Sequence, residues 1–448
     1  MELSRYHVCV PSYAGEGISL LYSTLNGTAL SISQKLYKKL LRGVNERDVA
    51  VFPETIKDTL KKYFIVETAE KEKQTVLDSI SRSIFSKKRF ALTVLTTSRC
   101  NFRCKYCYQD KILNRKDNMS ESTLKYLDAW LLKKIELLRP ENFELHLYGG
   151  EPLLNPKALW HVLEKANKIS SNYSINFDAY MTTNGYLLTR DNASRLAGLG
   201  VKTTLISLDG PPEIHDIRRP LANGRGTFKK IISNIRESCE EQNICIRINV
   251  DKQNAIHIPK LFDILAREGL QDKILVDIEV ISPVLHASEH MRKFLFESND
   301  DLMVIEKLWE KCSNYGFGIF GAMPIEGACE HKSLNTFTVD ASGNLFRCPG
   351  FVGLKDFCIG KIRNISEFKD KSLRKVYRPW MNCGDCPFLP LCQGGCRMCN
   401  YVTKKELETP FCKRSFFEQA FPGFLKAKYT NKLKFSKDDR KKYGVGFC

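Results

Sequence analysis

The sequence predicts an α/β fold built on a parallel sheet. From residue 90 to about residue 281, short apolar runs alternate with longer segments of helical periodicity, which is the pattern of βα units. The first five runs lead into polar or glycine-containing residues, where the active sites of such sheets form. The predicted strands are Ala91–Leu95, Phe143–Leu147, Ser174–Ala179, Lys202–Leu208, Ile244–Val250 and Ile274–Ile281.

A helix that covers this sheet is predicted at Glu121–Leu138. Its leucines and isoleucine recur at helical spacing and form one apolar stripe. Such a stripe suits a helix packed on the outer face of a parallel sheet.

A small α/β unit is predicted before the sheet, within residues 1–90. The pattern gives two strands, a turn, two helices and a third short strand. We expect either a packing appendage or a binding module. The elements are Tyr6–Val10, Ile18–Ser23, the turn Asn26-Gly27, a helix with Leu36, Leu40 and Leu41 on one face, a helix after Pro53 with Ile56, Leu60 and Phe64, and the strand Phe64–Val66.

Composition indicates a globular protein of several domains. The 448 residues suggest about three domains, and 43% hydrophobic with 27% charged residues is typical of folded, water-soluble chains. No apolar run approaches the roughly 20 residues that span a bilayer, and residues 1–10 lack the order of a signal peptide. We therefore expect a cytoplasmic protein with no membrane partner.

The cysteine count and the charge point to metal and to an acidic partner. Seventeen cysteines without a secretion signal favour metal ligation over disulfides. The formal charge of +18 allows nucleic acid or an acidic peptide as partner. A solvated basic surface is the simpler alternative for much of that charge.

The first cysteine motif follows the first predicted strand as Cys100-x3-Cys104-x2-Cys107. Three thiolates in one loop can bind three irons of a four-iron cluster and leave the fourth iron open. An open metal position makes a site reactive rather than structural. A zinc site is the alternative, but it needs a fourth ligand, and His146 is the lone candidate nearby.

Four further features stand in a fixed order around these cysteines: Tyr106, the run Gly149-Gly150-Glu151-Pro152, the run Thr183-Asn184-Gly185, and Ser207-Leu208-Asp209-Gly210. Taken singly, each could be an ordinary strand-end turn, and this alternative stays open for Asp209 and His215. Together with the cysteine motif they resemble the radical S-adenosylmethionine (SAM) superfamily.

That resemblance implies a partial (β/α)6 barrel of TIM type with a cluster and S-adenosylmethionine at its mouth. It places Tyr106 beside the adenine, the main chain of Gly149, Gly150 and Glu151 at the amino group, and Ser207 at the ribose. Glycine suits a close approach of the backbone to a ligand. The implied chemistry is reductive cleavage of S-adenosylmethionine to a radical that abstracts hydrogen, with the protein positioning the reactants in a dry cavity.

A second cysteine region begins near residue 320. Its seven cysteines and one glycine resemble the SPASM domain, which carries two auxiliary four-iron clusters. The resemblance implies that Cys383, Cys386, Cys392 and Cys412 bind the outer cluster and that Cys329, Cys348 and Cys396 bind the inner one. A zinc ribbon is the alternative for Cys383-x2-Cys386, but this region offers ligands for two sites. The cofactors expected are thus three 4Fe-4S clusters and S-adenosylmethionine.

Two departures from the sulfatase-maturing members bear on the reaction. Met323 stands where such a member has a further inner-cluster cysteine, so we expect an open inner iron, for which Cys312, Cys358 and Cys399 compete with substrate. Pro349 replaces the acidic general base after Cys348, which disfavours formylglycine formation. No catalytic side chain is assigned.

The expected function is a peptide maturase that forms a thioether, ahead of other crosslinks and of epimerisation. The alternatives are a radical enzyme acting on RNA or a small molecule, and a non-catalytic iron–sulfur scaffold that binds a peptide. Expected partners are a ribosomally made precursor peptide and a reductant such as flavodoxin or ferredoxin, with no nucleic acid. The expected divisions are 1–88, a winged-helix-like leader-recognition module; 89–290, the barrel; 291–320, a bridge; 321–425, the SPASM domain; and 426–448, a basic tail.

Overall fold

A sheet of ten strands forms the centre of the molecule within the described residues. The computed structural model describes residues 1–13, 16–43, 45, 47, 49, 54–109, 117–281, 295–296, 299–321, 333–364 and 378–430. The sheet order is β12-β11-β10-β9-β8-β7-β6-β13-β14-β15. Its strands are β6 Arg89–Leu95, β7 Asn142–Tyr148, β8 Asn176–Thr183, β9 Val201–Ser207, β10 Ile244–Val250, β11 Ile274–Val280, β12 Gly318–Ile319, β13 Thr336–Val339, β14 Asn344–Phe346 and β15 Gly360–Lys361.

The six predicted strands are confirmed as β6 to β11, parallel and adjacent in chain order. The third was placed too early: β8 begins at Asn176 and continues to Thr183. Its end was missed because Tyr180 and Thr182 interrupt the apolar run, whereas the structure places alternate residues of this strand on opposite faces.

The two faces of this parallel sheet differ in burial. On β7, Phe143, Leu145 and Leu147 are fully buried against the helices, whereas His146 and Tyr148 are partly exposed. The helix-covered face is therefore dry, and the inner face lines a space that solvent reaches.

The helices that follow the strands cover the outer face. The predicted helix Glu121–Leu138 is confirmed. The Ser120 side chain caps its N-terminus by accepting a hydrogen bond from the Thr123 N–H. The helices are α1 Gln34–Leu41, α2 Glu54–Tyr63, α3 Ala69–Phe85, α4 Glu121–Leu138, α5 Pro156–Asn172, α6 Arg190–Gly198, α7 Pro212–Arg218, α8 Phe228–Ser238, α9 Ile258–Arg267, α10 Asn299–Asn314, α11 Leu389–Cys392, α12 Arg397–Lys404 and α13 Arg414–Thr430.

The N-terminal unit contains a three-stranded antiparallel sheet and helices α1 to α3. Leu40 is buried but Leu41 is 57% exposed, so the expected packing of Leu41 was wrong. A helix turns about 100° per residue, and Leu41 lies beyond the edge of the stripe. The strands are β1 Glu2–Leu3, β2 His7–Val10, β3 Ile18–Ser23, β4 Ala29–Ser33 and β5 Ile65–Val66, with β1 paired to β5.

This unit packs against the cysteine-rich C-terminal region. Tyr6 is fully buried and its hydroxyl donates to the Gly384 carbonyl at 2.9 Å. Ile80 and Ile84 of α3 share a core with Trp380 and Leu389. The N-terminal unit and the C-terminal region therefore form a continuous apolar interior.

The C-terminal helix α13 packs on α10, where Trp309 and Phe424 stack edge to face at 5.0 Å. Leu425 is fully buried and the helix continues to Thr430, so residues 426–430 belong to this helix and not to the expected basic tail. Residues 431–448 lie outside the described part. No described helix combines the length and the apolar character that crossing a membrane requires.

Candidate active site

The predicted cluster loop leaves the carboxyl end of β6 and brings Cys100, Cys104 and Cys107 to the mouth of the sheet, all partly exposed. Main-chain hydrogen bonds tie this loop to the segment that follows α7, so its path is fixed by the fold. They run from Arg103 N–H to Pro220 O at 2.9 Å, from Lys105 N–H to Arg218 O at 3.0 Å and from Ala222 N–H to Asn101 O at 2.7 Å.

The donor set fits a four-iron cluster. Burial raises the pKa of the Cys104 thiol to about 12, although Arg219 opposes the shift, so a bound metal is needed to hold the thiolate. Among the residues described, no three His, Cys, Asp or Glu side chains meet as ligands of a single metal ion would. Thiolates of a four-iron cluster bind different irons and need not converge on one point.

The glycines of the second motif allow two loops to touch. A Cβ on Gly150 would lie 2.2 Å from the Arg99 carbonyl oxygen, and one on Gly149, whose φ is +148°, would lie 2.5 Å from the Thr97 oxygen. Gly150 N–H donates to Thr97 O at 2.9 Å. These contacts place the motif directly against the start of the cysteine loop.

Substituting Gly150→Ala is expected to displace the cysteine loop, because the added methyl group meets main-chain atoms that cannot rotate away. We expect loss of most of the iron bound at Cys100, Cys104 and Cys107, measured as iron per chain after anaerobic reconstitution. Gly198→Ala is the matched control, since no atom lies within 4 Å of its added Cβ. An unchanged iron content in the Gly150 variant would contradict this account.

Glu151 is fully buried and its carboxylate is occupied by the protein. It accepts hydrogen bonds from the Thr183 hydroxyl at 2.7 Å, the Asn184 N–H at 2.7 Å and the Leu153 N–H at 3.1 Å. Burial raises its pKa, and these donors oppose the rise. The side chain thus joins the second motif to the Thr183-Asn184-Gly185 run.

Asn184, in turn, touches the cysteine loop. Its side-chain amide donates to the side-chain oxygen Oδ1 of Asn101 at 2.8 Å and lies 4.0 Å from the Cys100 sulfur. The structure thus brings both the Gly149–Pro152 run and the Thr183-Asn184-Gly185 run to the cysteine loop.

Tyr106 lies in a network of polar groups at the end of β9. Its hydroxyl donates to the Asp209 carboxylate at 2.5 Å and accepts from Arg219 at 2.5 Å and from the Asn249 amide at 3.1 Å. Asp209 is fully buried and also receives the Asn249 N–H at 3.2 Å. The network fixes the tyrosine ring expected to face the adenine.

Arg219 was missed by the sequence reasoning. It is 7% exposed, is placed close enough to lower the pKa of Cys104, and its Nε has no hydrogen-bond partner among the described residues. A buried cation with a spare donor beside the cluster loop suits the carboxylate of a bound amino acid. The available signal was an arginine that stands a few residues after Asp209-Gly210 at a strand end. Arg219 is far from the cysteines in the sequence, so this signal did not connect it with them.

His215 is a positioning residue rather than an exposed functional group. It is fully buried, and its Nδ1 accepts from the Asp209 N–H at 3.2 Å, so its Nε2 carries the proton towards Thr227 Oγ1 at 3.1 Å. Thr227 donates onward to the Arg219 carbonyl at 2.8 Å. Burial lowers the His215 pKa well below its usual value. The neutral ring therefore links Asp209 to the backbone of Arg219.

Ser207 ends β9 on the inner face and is 9% exposed. Its neighbour in register on β10 is Arg247. The predicted ribose ligand thus lies at the edge of the lumen, one strand from a charged side chain.

In the second cysteine region, the structure groups the four cysteines predicted for the outer cluster. Charges on Cys392 and Cys412 raise the pKa of Cys386, after burial, and the Cys386 N–H donates to the Cys383 carbonyl at 2.9 Å. Cys412 itself is exposed. These four thiols are therefore neighbours at one end of the molecule.

The described members of the inner set also approach each other. A Cβ on Gly350, two residues after Cys348, would lie 2.3 Å from the sulfur of Met398, two residues after Cys396. Gly350 N–H donates to the Cys348 sulfur at 3.4 Å. The third predicted ligand, Cys329, lies outside the described residues, as does Met323.

Three cysteines compete for the fourth position of the inner set. Cys312 lies fully buried in the main core, where burial raises its pKa. Cys358 donates to the Gly360 carbonyl at 3.4 Å. Cys399 lies within hydrogen-bond reach of the Cys396 sulfur, and this contact is the chief cause that lowers the Cys396 pKa to about 6.

Comparison with known proteins agrees with this geometry. Residues 94–265 match the model of the Radical SAM superfamily. The chain contains a radical SAM domain. A cysteine-type anaerobic sulfatase-maturating enzyme of Clostridium novyi is 26% identical over 362 residues, which are 72% of this chain and 92% of that relative.

Two solved structures share the radical SAM fold with this chain. The anSMEcpe structure with bound AdoMet has a TM-score of 0.61 at 20% identity, covering 79% of this chain and 97% of that one. Streptococcus suis SuiB bound to precursor peptide SuiA has a TM-score of 0.51 at 14% identity, covering 92% and 99%. The matches show a radical SAM domain at residues 94–265 and a fold shared with these two structures.

Proposed function

We propose that this chain is a radical SAM peptide maturase, which cleaves S-adenosylmethionine reductively and abstracts hydrogen from a residue of a ribosomally made precursor peptide. One observation carries the proposal: Tyr108 lies close enough to both Cys107 and Cys348 for their charges to raise its pKa, after burial and Tyr148. The cysteine loop and the second cysteine region therefore both approach Tyr108, whose hydroxyl donates to Tyr148 at 3.1 Å. The SuiB structure with its precursor peptide and anSMEcpe with the Cp18Cys peptide support a peptide substrate.

The residues of this site would bind and orient the cofactors. When bound, the first cluster supplies the electron that cleaves S-adenosylmethionine to the hydrogen-abstracting radical. Cys100, Cys104 and Cys107 hold that cluster, while Arg219 binds the carboxylate of S-adenosylmethionine and Tyr106 lies against its adenine. Ser207 binds the ribose, and the Gly149–Glu151 main chain meets the amino group. A reduced ferredoxin or flavodoxin supplies the electron.

Thioether formation is the reaction we propose, with the two auxiliary clusters at the cysteine sets described above. Cys399 is within hydrogen-bond reach of Cys396, so it can donate to this ligand from the neighbouring position. One inner iron is then left for the substrate thiolate. Thiolate is a preferred ligand for iron, and binding would orient it towards the activated carbon.

Precursor peptide is expected to perturb the paramagnetic spectrum of the inner cluster, while a precursor with its acceptor cysteine changed to serine is not. Cys399→Ala is expected to keep this cluster assembled, with Cys358→Ala and Cys312→Ala as parallel variants. The measurement is electron paramagnetic resonance of the reduced, reconstituted protein. Loss of the cluster in one of these variants, or a spectrum that ignores the peptide, would remove the support for sulfur coordination.

The N-terminal unit, residues 1–88, is proposed to bind the leader of the precursor. Strand β4 is an edge of its sheet. Between β3 and β4, the Ser23 N–H donates to the Thr28 carbonyl and the Gln34 N–H donates to the Gly17 carbonyl. Hydrogen-bonded residues alternate along an antiparallel strand, so the main-chain groups of Ser31 point away from β3. A leader can therefore add to this edge as a further strand. The SuiB match covers enough of the chain to extend into this unit.

A further inference from the structure

The lumen of the parallel sheet contains a layer of polar side chains that the proposed cofactor site does not use. On β10, Ile246 and Ile248 are fully buried on the helix side, whereas Arg247 between them is partly exposed on the inner face. Burial lowers the pKa of His146 and raises that of Tyr148 on β7, and the Arg247 charge is near enough to act on both. In a flat sheet, β7 and β10 would be three strand spacings apart, roughly 14 Å. The electrostatic influence of Arg247 on two side chains of β7 therefore fits a sheet that curves around the lumen.

Arg247 forms an ion pair with Asp277, its neighbour in register on β11. The guanidinium Nη2 lies 2.5 Å from the Asp277 carboxylate, and the two side chains are 16% and 6% exposed. The Arg247 Nε atom is buried and has no hydrogen-bond partner among the described residues. A buried N–H donor without a partner is costly, so this atom points to a group that the protein itself does not supply.

The charges around Arg247 select the kind of group. Asp277 already balances the guanidinium, and Glu279 is near enough to raise the Asp277 pKa, after burial. Burial lowers the pKa of His146 to about 4, so that ring is neutral. A second carboxylate would meet a site that is already neutral or negative. A carbonyl oxygen satisfies the donor without adding charge.

Three arginines near the site have a buried Nε without a hydrogen-bond partner among the described residues, Arg218, Arg219 and Arg247, and Arg218 pairs with Asp251 at 2.9 Å. S-adenosylmethionine brings one carboxylate. Arg219 touches Tyr106 and lies near Cys104, at the cluster loop. Arg247 lies beside Ser207 in register, one strand away. The geometry leaves Arg247 for the substrate rather than for the cofactor.

We propose that Arg247 is a specificity-determining residue that binds an amide carbonyl of the residue being modified. Asp277 is the positioning residue that orients and neutralises the guanidinium. The inference deepens the proposed function, because the amide is that of a peptide substrate. It gives a role to a charged pair that lies on the inner face of the sheet, opposite the apolar helix-covered side of β10.

The test uses the full-length, anaerobically reconstituted protein saturated with S-adenosylmethionine. The probes are N-acetylalanine N-methylamide, which ends in an amide, and N-acetylalanine, which ends in a carboxylate. Their dissociation constants are measured by ligand-observed NMR. The variant is Arg247→Gln/Asp277→Asn, which removes both charges so that neither is left unpaired. Arg236→Gln, which removes an exposed ion pair to Glu268 at 3.2 Å on the outer surface, is the matched control.

The wild type and the control are expected to bind the amide more tightly than the carboxylate, and the double variant to lose at least fivefold in amide affinity. Calorimetry should show S-adenosylmethionine affinity changed less than twofold. The proposal is overturned if the amide does not bind the wild type, if the carboxylate binds better, if the double variant keeps amide affinity, or if S-adenosylmethionine affinity falls instead. Amide binding at Arg247 by a protein that modifies no peptide would refute the proposed function and leave this site standing.

Discussion

Replacing Cys100, Cys104 and Cys107 together by alanine is expected to leave about eight of about twelve irons per chain, taking four irons for each of three clusters. These thiols are the described donors at the mouth of the parallel sheet, and Arg219 and Tyr106 lie beside them. Cleavage of S-adenosylmethionine should fall below detection, because the electron donor is lost. The auxiliary spectra should remain. Iron analysis, electron paramagnetic resonance and 5′-deoxyadenosine formation measure the three effects.

The matched control is Cys9→Ala/Cys239→Ala, which removes two partly exposed thiols outside both cysteine regions. This variant should keep all three clusters and normal cleavage. Stoichiometric zinc in the wild type, with no iron charge-transfer absorption, would refute the assignment of every cluster.

Deleting residues 1–85 is expected to unfold or aggregate the chain. The deletion removes Tyr6, Ile80 and Ile84 from the core they share with Trp380 and Leu389, and removes Tyr22 from the main core. Burial of each large apolar side chain contributes about 1.5–3 kcal/mol. Several together approach the 5–15 kcal/mol, roughly, that stabilises a whole protein. Thermal unfolding and light scattering measure the effect, and a stable, monomeric deletion variant would contradict it.

Leader binding is therefore better tested by Ser31→Pro, with Ser31→Ala as control. Proline removes the outward N–H of the β4 edge without touching the shared core. We expect at least tenfold weaker binding of the full precursor by Ser31→Pro, with an unchanged melting temperature, measured by fluorescence anisotropy. Normal binding by this variant would show that the β4 edge does not hold the leader.

Much of the fold was predictable because local pattern and tertiary environment agree in it. Strands β6, β7, β10 and β11 are apolar on the side that the helices cover, and that side is buried. Helix α4 is apolar along the stripe that it buries. Strand β8 was misplaced where inner-face residues broke the apolar run. Leu41 was misjudged because a short helix defines its apolar stripe poorly.

The candidate site divided in the same way. Cys100, Cys104, Cys107 and Tyr106 stand within eight residues, so spacing alone identified them. The Gly149–Glu151 run was also found, but its packing role was not, because Thr97 and Arg99 meet it only through the parallel pairing of β6 and β7.

The sequence by itself predicted the order of the strands that carry the motifs, which the structure confirms, and it proposed which thiolates hold clusters and an open inner ligand position. These follow from residue type and short spacing. The tertiary structure alone decided that Arg219 lies beside Cys104, that His215 supports it through Thr227, and that Arg247 and Asp277 share one layer of the lumen. Such contacts depend on the register and curvature of strands that are far apart in the chain. The electrostatic energy of each contact is small until burial removes water from around the charges.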